Sequence, residues 1–227
     1  MSDQKTQHDG LDEVNEALSK TEQLIEKYQK PMLISALVLI LVVSGILALR
    51  QFYFIPKENK AQEDLFVGEF LLQEKEYQKA LEGNGGDFIG FEAIIKENSS
   101  TKAGNLAKAY AGICQMRLGN YEQAIKHLES FSASDLLVSP AVVGAVGDCY
   151  VEMGKVKEAI AYFEKAAAKA NNELISPIYL KKAGIAYESL GQYADAVKVY
   201  QNIKDNWSTS MESADIEKYI ERASSKK

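Results

Sequence analysis

Apolar residues fall into two regimes along this chain. Between Pro31 and Leu49 the segment PMLISALVLILVVSGILAL runs 19 residues without a charge. At about 1.5 Å per residue in a helix, that length is close to the roughly 30 Å hydrocarbon thickness of a bilayer. Twelve of these residues are Leu, Ile or Val, which on an insertion scale favours the membrane by about 4 to 7 kcal/mol. The pattern predicts one transmembrane anchor over 31–55, ending in Arg50-Gln51-Phe52-Tyr53-Phe54, whose aromatic cluster suits the water boundary. A polar stretch of 30 residues comes first and no small-residue cleavage site follows, so the span is expected to stay attached rather than to be removed as a leader. Within that arm, 1–30, Leu11, Val14, Leu18, Ile25 and Tyr28 fall near one face of a helix. The arm therefore reads as an amphipathic helix against a membrane or a partner, or as a solvated lead-in.

Beyond the span the apolar positions recur at helical spacing, and no stretch alternates apolar and polar residues as a strand would, so the predicted class is all-α. The chain also repeats itself. LGNYEQAIKHL (118–128), MGKVKEAIAYF (153–163) and LGQYADAVKVY (190–200) are one unit written three times. The turn glycines Gly119, Gly154 and Gly191 lie 154 − 119 = 35 and 191 − 154 = 37 residues apart, and seven residues before each stands another: Gly112, Gly147 and Gly184. That period suits a helix-turn-helix repeat. Gly112, Gly147 and Gly184, with Ala124, Ala159 and Ala196, leave room where two helices of a hairpin meet, and Leu128, Phe163 and Tyr200 are expected to fill it. Ser139-Pro140 and Ser176-Pro177 read as N-cap hydroxyls followed by proline at the first helical position.

The layout is then a degenerate first repeat over 57–98, three repeats over 103–207, and a capping helix and tail over 208–227. The first repeat matches the others at Gly68, Tyr77 and Ala80, and is interrupted by Gly83-Asn84-Gly85-Gly86, a flexible turn ahead of a short apolar helix from Phe88 to Ile95. Ile216, Tyr219 and Ile220 give the last helix the apolar face that a solenoid end cap needs.

Composition narrows the function. A net charge of −6 and scattered Lys and Arg argue against nucleic acid, which needs a concentrated basic surface. The two cysteines, Cys114 and Cys149, take equivalent positions in successive repeats and read as small buried hydrophobes. They form no metal-ligand spacing, and His8 and His127 stand among polar residues with no nucleophile motif beside them. The glycine loop lacks the preceding strand and following Lys of a phosphate cradle. The expectation is a non-enzyme without cofactor, metal or small-molecule substrate.

The repeats resemble the tetratricopeptide repeat. Gly147, Tyr150, Gly154, Ala159, Phe163 and Ala166 fall on its preferred small and large positions, as do Gly184, Tyr187, Gly191, Tyr193, Ala196 and Tyr200, over about 103–206. The unit before them departs from the pattern at Gln115, where Tyr is preferred, and at Phe131, where Ala is. The resemblance implies a concave face lined in part by Leu106, Ile113, Met116, Val151, Ile178 and Ile185, an apolar groove for an amphipathic or unfolded segment, with Lys181 as its basic residue. The whole layout of arm, span and repeats resembles the YfgM-like ancillary translocon subunits. That implies a bacterial inner-membrane protein with a cytoplasmic N-terminus and periplasmic repeats, associated with the SecYEG channel and a PpiD-like anchored chaperone. Charge leaves orientation open, since Lys20, Lys27 and Lys30 are balanced by Arg50, Lys57 and Lys60. An assembly subunit of another envelope secretion or motility machine is the alternative that the residues leave standing.

Overall fold

The computed structural model describes residues 27–226, so residues 1–26 of the N-terminal arm, with His8 and the proposed amphipathic face from Leu11 to Ile25, lie outside the described residues, while Tyr28 falls in the first helix and is exposed. The chain divides into two compact units, Met1–Pro56 and Lys57–Lys227. In the first, α1 (27–49) is a helix whose Leu, Ile and Val side chains are exposed along its length. It belongs to a helical run, Lys27–Gln73, that is long and apolar enough to cross a membrane. At Arg50–Phe54 the helix widens to π-geometry, with the Ile55 N–H donating to the Arg50 carbonyl, and the Tyr53 and Phe54 rings meet edge-on at 5.2 Å between centroids.

The second unit stacks helices: α2 (Ile55–Gln73), α3 (Tyr77–Glu82), α4 (Phe91–Glu97), α5 (Lys102–Arg117), α6 (Tyr121–Ser130), α7 (Val138–Glu152), α8 (Val156–Ala170), α9 (Ser176–Ser189), α10 (Tyr193–Asn206) and α11 (Ile216–Ser224). Among the described residues every regular element is helical. Helices α5/α6, α7/α8 and α9/α10 form hairpins through one repeated turn. Gly119, Gly154 and Gly191 adopt φ of +83°, +73° and +71°, a left-handed conformation open to glycine at little cost. The residue after each glycine donates back five residues, Asn120 to Gln115, Lys155 to Tyr150 and Gln192 to Tyr187, so the last helical carbonyls are satisfied by one helix-terminating motif used three times.

Within each hairpin a glycine faces a bulky side chain. A Cβ at Gly112 would stand 2.6 Å from Leu128 Cγ, one at Gly147 2.6 Å from Phe163 Cε1, and one at Gly184 2.2 Å from Tyr200 Cε1. Ala124, Ala159 and Ala196 are buried beside these contacts. Successive cores then run along the stack, from Phe91 and Ile94 with α5, through Leu128 with α7 and Phe163 with α9, to Tyr200 and Ile203 with Ile216 and Ala223 of α11.

Three local expectations change. Ser139 and Ser176 are not N-caps. The first turn of α7 is held by the Asp135 carboxylate, which accepts from the N–H groups of Leu137, Val138 and Ser139, and that of α9 by the Asn172 side-chain oxygen, which accepts from Leu174 and Ile175. The serine hydroxyls turn inward and donate to the carbonyls of Ala133 and Ala167, because each helix begins a residue or two earlier than its Ser-Pro pair suggests. The short helix of the first repeat starts at Phe91, while Phe88 is buried in the loop before it. That loop is closed by its own hydrogen bonds: the Asn84 side-chain oxygen accepts from Gly86 and Phe88, and its amide nitrogen donates to Asp87. Phe88 and Phe91 fill the space over Gly68, the first repeat's counterpart of the hairpin glycines.

Candidate partner-binding surface

The first helices of the three hairpins, α5, α7 and α9, carry the residues singled out for a groove. Leu106 and Ile113 line a depression of ≈ 460 Å³ with Tyr110, Val138 and Ala141, almost wholly apolar. Met116 and Val151 line a second of ≈ 460 Å³ with Arg117, Asp148 and Lys182, and Val151 and Ile185 a third of ≈ 260 Å³ with Phe163. The second and third share Asp148, Val151 and Lys182, so they form one continuous track from α5 to α9. Val151 is 42% and Ile185 46% exposed, whereas Leu106, Ile113, Met116 and Ile178 are half-buried.

Two charges were not singled out in the sequence. Asp148 and Lys182 sit mid-track with Lys182 Nζ 2.8 Å from both carboxylate oxygens, each about two-fifths exposed. An ion pair at this exposure contributes about 0 to 1 kcal/mol to stability, so it can open towards a polar group on a ligand at small cost. Lys181, the basic residue picked from the repeat pattern, is engaged elsewhere. Its Nζ lies 2.6 Å from Asp215 Oδ1 and 4.5 Å from the Tyr219 ring centroid, tying α9 to the end cap. Ile178 lies on α9 outside these three depressions.

The remaining candidates are structural in their surroundings. Cys114 and Cys149 are free, buried thiols, and burial pushes Cys114 up to about 12 and Cys149 to about 11. His127 is not fully solvated; its side chain is 21% exposed and its Nε2 lies 3.0 Å from Glu92 Oε1, linking α6 to α4. Gln115 is buried, and its side-chain oxygen accepts from Asn120, so an amide contact stands where the repeat pattern has a tyrosine. Among the described residues no cluster of three or more His, Cys, Asp or Glu is placed to hold a metal.

These hairpins, glycine turns and hollow first-helix faces define a tetratricopeptide solenoid. Residues 110–173 and 145–210 each match the tetratricopeptide repeat, so this stretch of the chain is built of that repeat. The fold is similar to a Podosopora anserina kinesin light chain with nearly identical TPR-like repeats, at TM-score 0.55 and 16% identity, covering 74% of this chain and 87% of that one. A single-residue variant of that protein gives the same values. The MamA protein is similar at TM-score 0.52 and 17% identity, over 73% of this chain and 91% of its own. At these identities the likeness concerns the fold. No curated protein matches the sequence. Tetratricopeptide solenoids are protein-interaction scaffolds, and the apolar depressions described above lie along the first helices of these hairpins.

Proposed function

We propose that this chain is a membrane-anchored scaffold of the bacterial inner membrane, an ancillary subunit of the SecYEG export channel that joins it to a PpiD-like periplasmic chaperone. The observation that carries the anchored reading is α1, whose apolar side chains are exposed along its whole described length and have no packing partner among the described residues. The N-terminus is then cytoplasmic and the repeats periplasmic. The depression at Ile113 and the track from Met116 through Val151 to Ile185 receive an apolar segment of a partner or client, with Asp148 and Lys182 meeting its polar groups.

Purification of the full chain in mild detergent should bring the channel subunits and the chaperone with it. Recovery of a different envelope assembly, or of none, would overturn the translocon reading. Protease added to spheroplasts should degrade the repeats and spare a small N-terminal fragment; protection until lysis would reverse the orientation. Burying an apolar side chain is worth about 1.5 to 3 kcal/mol when complete, so Ile113→Ser with Met116→Ser should weaken association tenfold or more. Unchanged affinity with an intact fold would move the partner off this track.

A further inference from the structure

In each later repeat the first helix offers the same three positions to the repeat before it. Counted from the hairpin glycine they are Ala107, Ala111 and Cys114 in α5, Val142, Val146 and Cys149 in α7, and Tyr179, Ala183 and Ala186 in α9. All are buried. Those of α5 share a core with Phe91 and Ile94 of α4, those of α7 with Ile125 and Leu128 of α6, and Tyr179 and Ala183 with Phe163 of α8. In α2 the glycine is Gly68, so the same positions are Glu63, Val67 and Phe70. The opposite face of α2, with Ala61, Leu65 and Gly68, is buried in the first core, and Val67 packs partly against that core, so Glu63 and Phe70 are the register positions left outward. On the outward face Phe70 is 59% exposed and Phe66, one turn earlier, 72%. α2 is the first helix of its unit, and its outward face carries two of the three stacking positions, Glu63 and Phe70, with no earlier repeat in that unit to stack on.

We propose that this face is a docking site for an amphipathic helix of another protein, seated as the second helix of a preceding repeat would be, with Lys or Arg beside its apolar stripe. Continuity with the three stacking interfaces sets the shape of the occupant, since a second helix laid here meets the register it meets at α5, α7 and α9. Charge sets its chemistry. Exposed Glu63 and Glu74 bracket the two phenylalanines, with Lys75 next to Glu74, while Lys60 lies near Asp64, whose carboxyl is pushed up by burial and only partly drawn back by Lys60. The same acids disfavour a second copy of this chain. Two α2 helices crossed antiparallel about Phe66 and Phe70 bring Glu63 towards Glu74 of the other copy, and a parallel pair brings each acid onto itself; like charges in such contact repel. The site is separate from the concave track and stands whether or not the membrane partner is the export channel.

The test is a benzophenone amino acid at position 70 of the full-length chain, irradiated in the membranes of the cells that make it, with the cross-linked peptide sequenced. The expected product is an amphipathic helix of a different polypeptide bearing basic residues beside its apolar stripe. Combining the probe with Glu63→Lys and Glu74→Lys should lower its yield at least tenfold, while a probe at Val151 on the concave track keeps its yield and the melting temperature is unchanged. A product that is only a second copy, a partner segment without basic residues, or a yield indifferent to charge reversal overturns the proposal. So does a yield at position 70 no higher than at exposed Gln78. Capture at Val151 with none at position 70 would leave the scaffold reading intact and remove this site alone.

Discussion

At the scale of single residues, the hairpin glycines make the most direct prediction. Each faces a side chain closer than a methyl group allows, as at Gly147 against Phe163. Gly147→Leu and Ala159→Leu should each cost about 1 to 3 kcal/mol through overpacking, lowering the melting temperature of the unit Lys57–Lys227 by about 2 to 12 °C. Melts unchanged by both would mean that the repeat register is wrong. The buried thiols predict a pH dependence. Cys149 and Cys114 ionise at about 11 and about 12 in the folded chain, against an ordinary thiol value of 9.0. Protons are held more tightly folded than unfolded, so this stability is complete below pH 9 and is lost as pH rises towards 11 and 12. Melting temperatures should fall between pH 9 and 11, and fall less in the Cys114→Ser, Cys149→Ser double variant; equal slopes would assign the loss to other groups. The small residues were legible because each position follows from a local period. His127 and Glu92 were not, since nothing near either residue in sequence names a partner 35 positions away.

At the scale of elements, helix existence and turn position could be read from Gly119, Gly154 and Gly191, whereas helix starts could not. Ser-Pro is a strong start signal, yet Asp135 and Asn172 reach the free N–H groups first because their loops place a carboxylate or amide oxygen under the helix end. Removing a cap of this kind costs about 0.5 to 2 kcal/mol. Asp135→Ala and Asn172→Ala should each lower the melting temperature. The Asn172 change should do more, because its amide nitrogen also donates to the carbonyls of Leu136 and Ala170. Amide exchange should quicken locally, at Val138 and Ser139 in one variant and at Leu174 and Ile175 in the other. Protection unchanged there would return the capping role to the serines. The split of the first repeat into α3 and α4 was visible as a glycine loop, but its closure was not, because the Asn84 bonds depend on a loop path that composition does not encode.

At the scale of the molecule, stacking is between neighbours, and the last neighbour is α11. It covers Tyr200 and Ile203 with Ile216 and Ala223, and its Arg222 donates twice to Glu188 of α9, at 3.0 and 2.6 Å. Burial opposes ionisation of Glu188, but the bonds from Arg222 and Tyr200 outweigh it and hold that carboxyl below its ordinary range. Deleting 208–227 should therefore expose Tyr200 and Ile203, strand Glu188 without its guanidinium, and make the shortened chain prone to aggregate. In a solenoid such damage stays close to its source, so amide protection should drop in α9 and α10 and persist in α5 and α6; uniform loss would show the stack to be one cooperative block.

The repeats look interchangeable and are not. Tyr179 of α9 lies over Gly144 of α7, where a Cβ would stand 1.9 Å from its ring. The residue in the same register of α5 is Ala109, since 144 − 109 = 35, the spacing of Gly112 and Gly147. If the second and third hairpins traded places along the chain, the ring of Tyr179 would arrive where Ala109 keeps its methyl group. The order of the hairpins is thus written into the volumes at their seams, and a gene rearrangement that shuffled them would preserve every turn and still lose the fit.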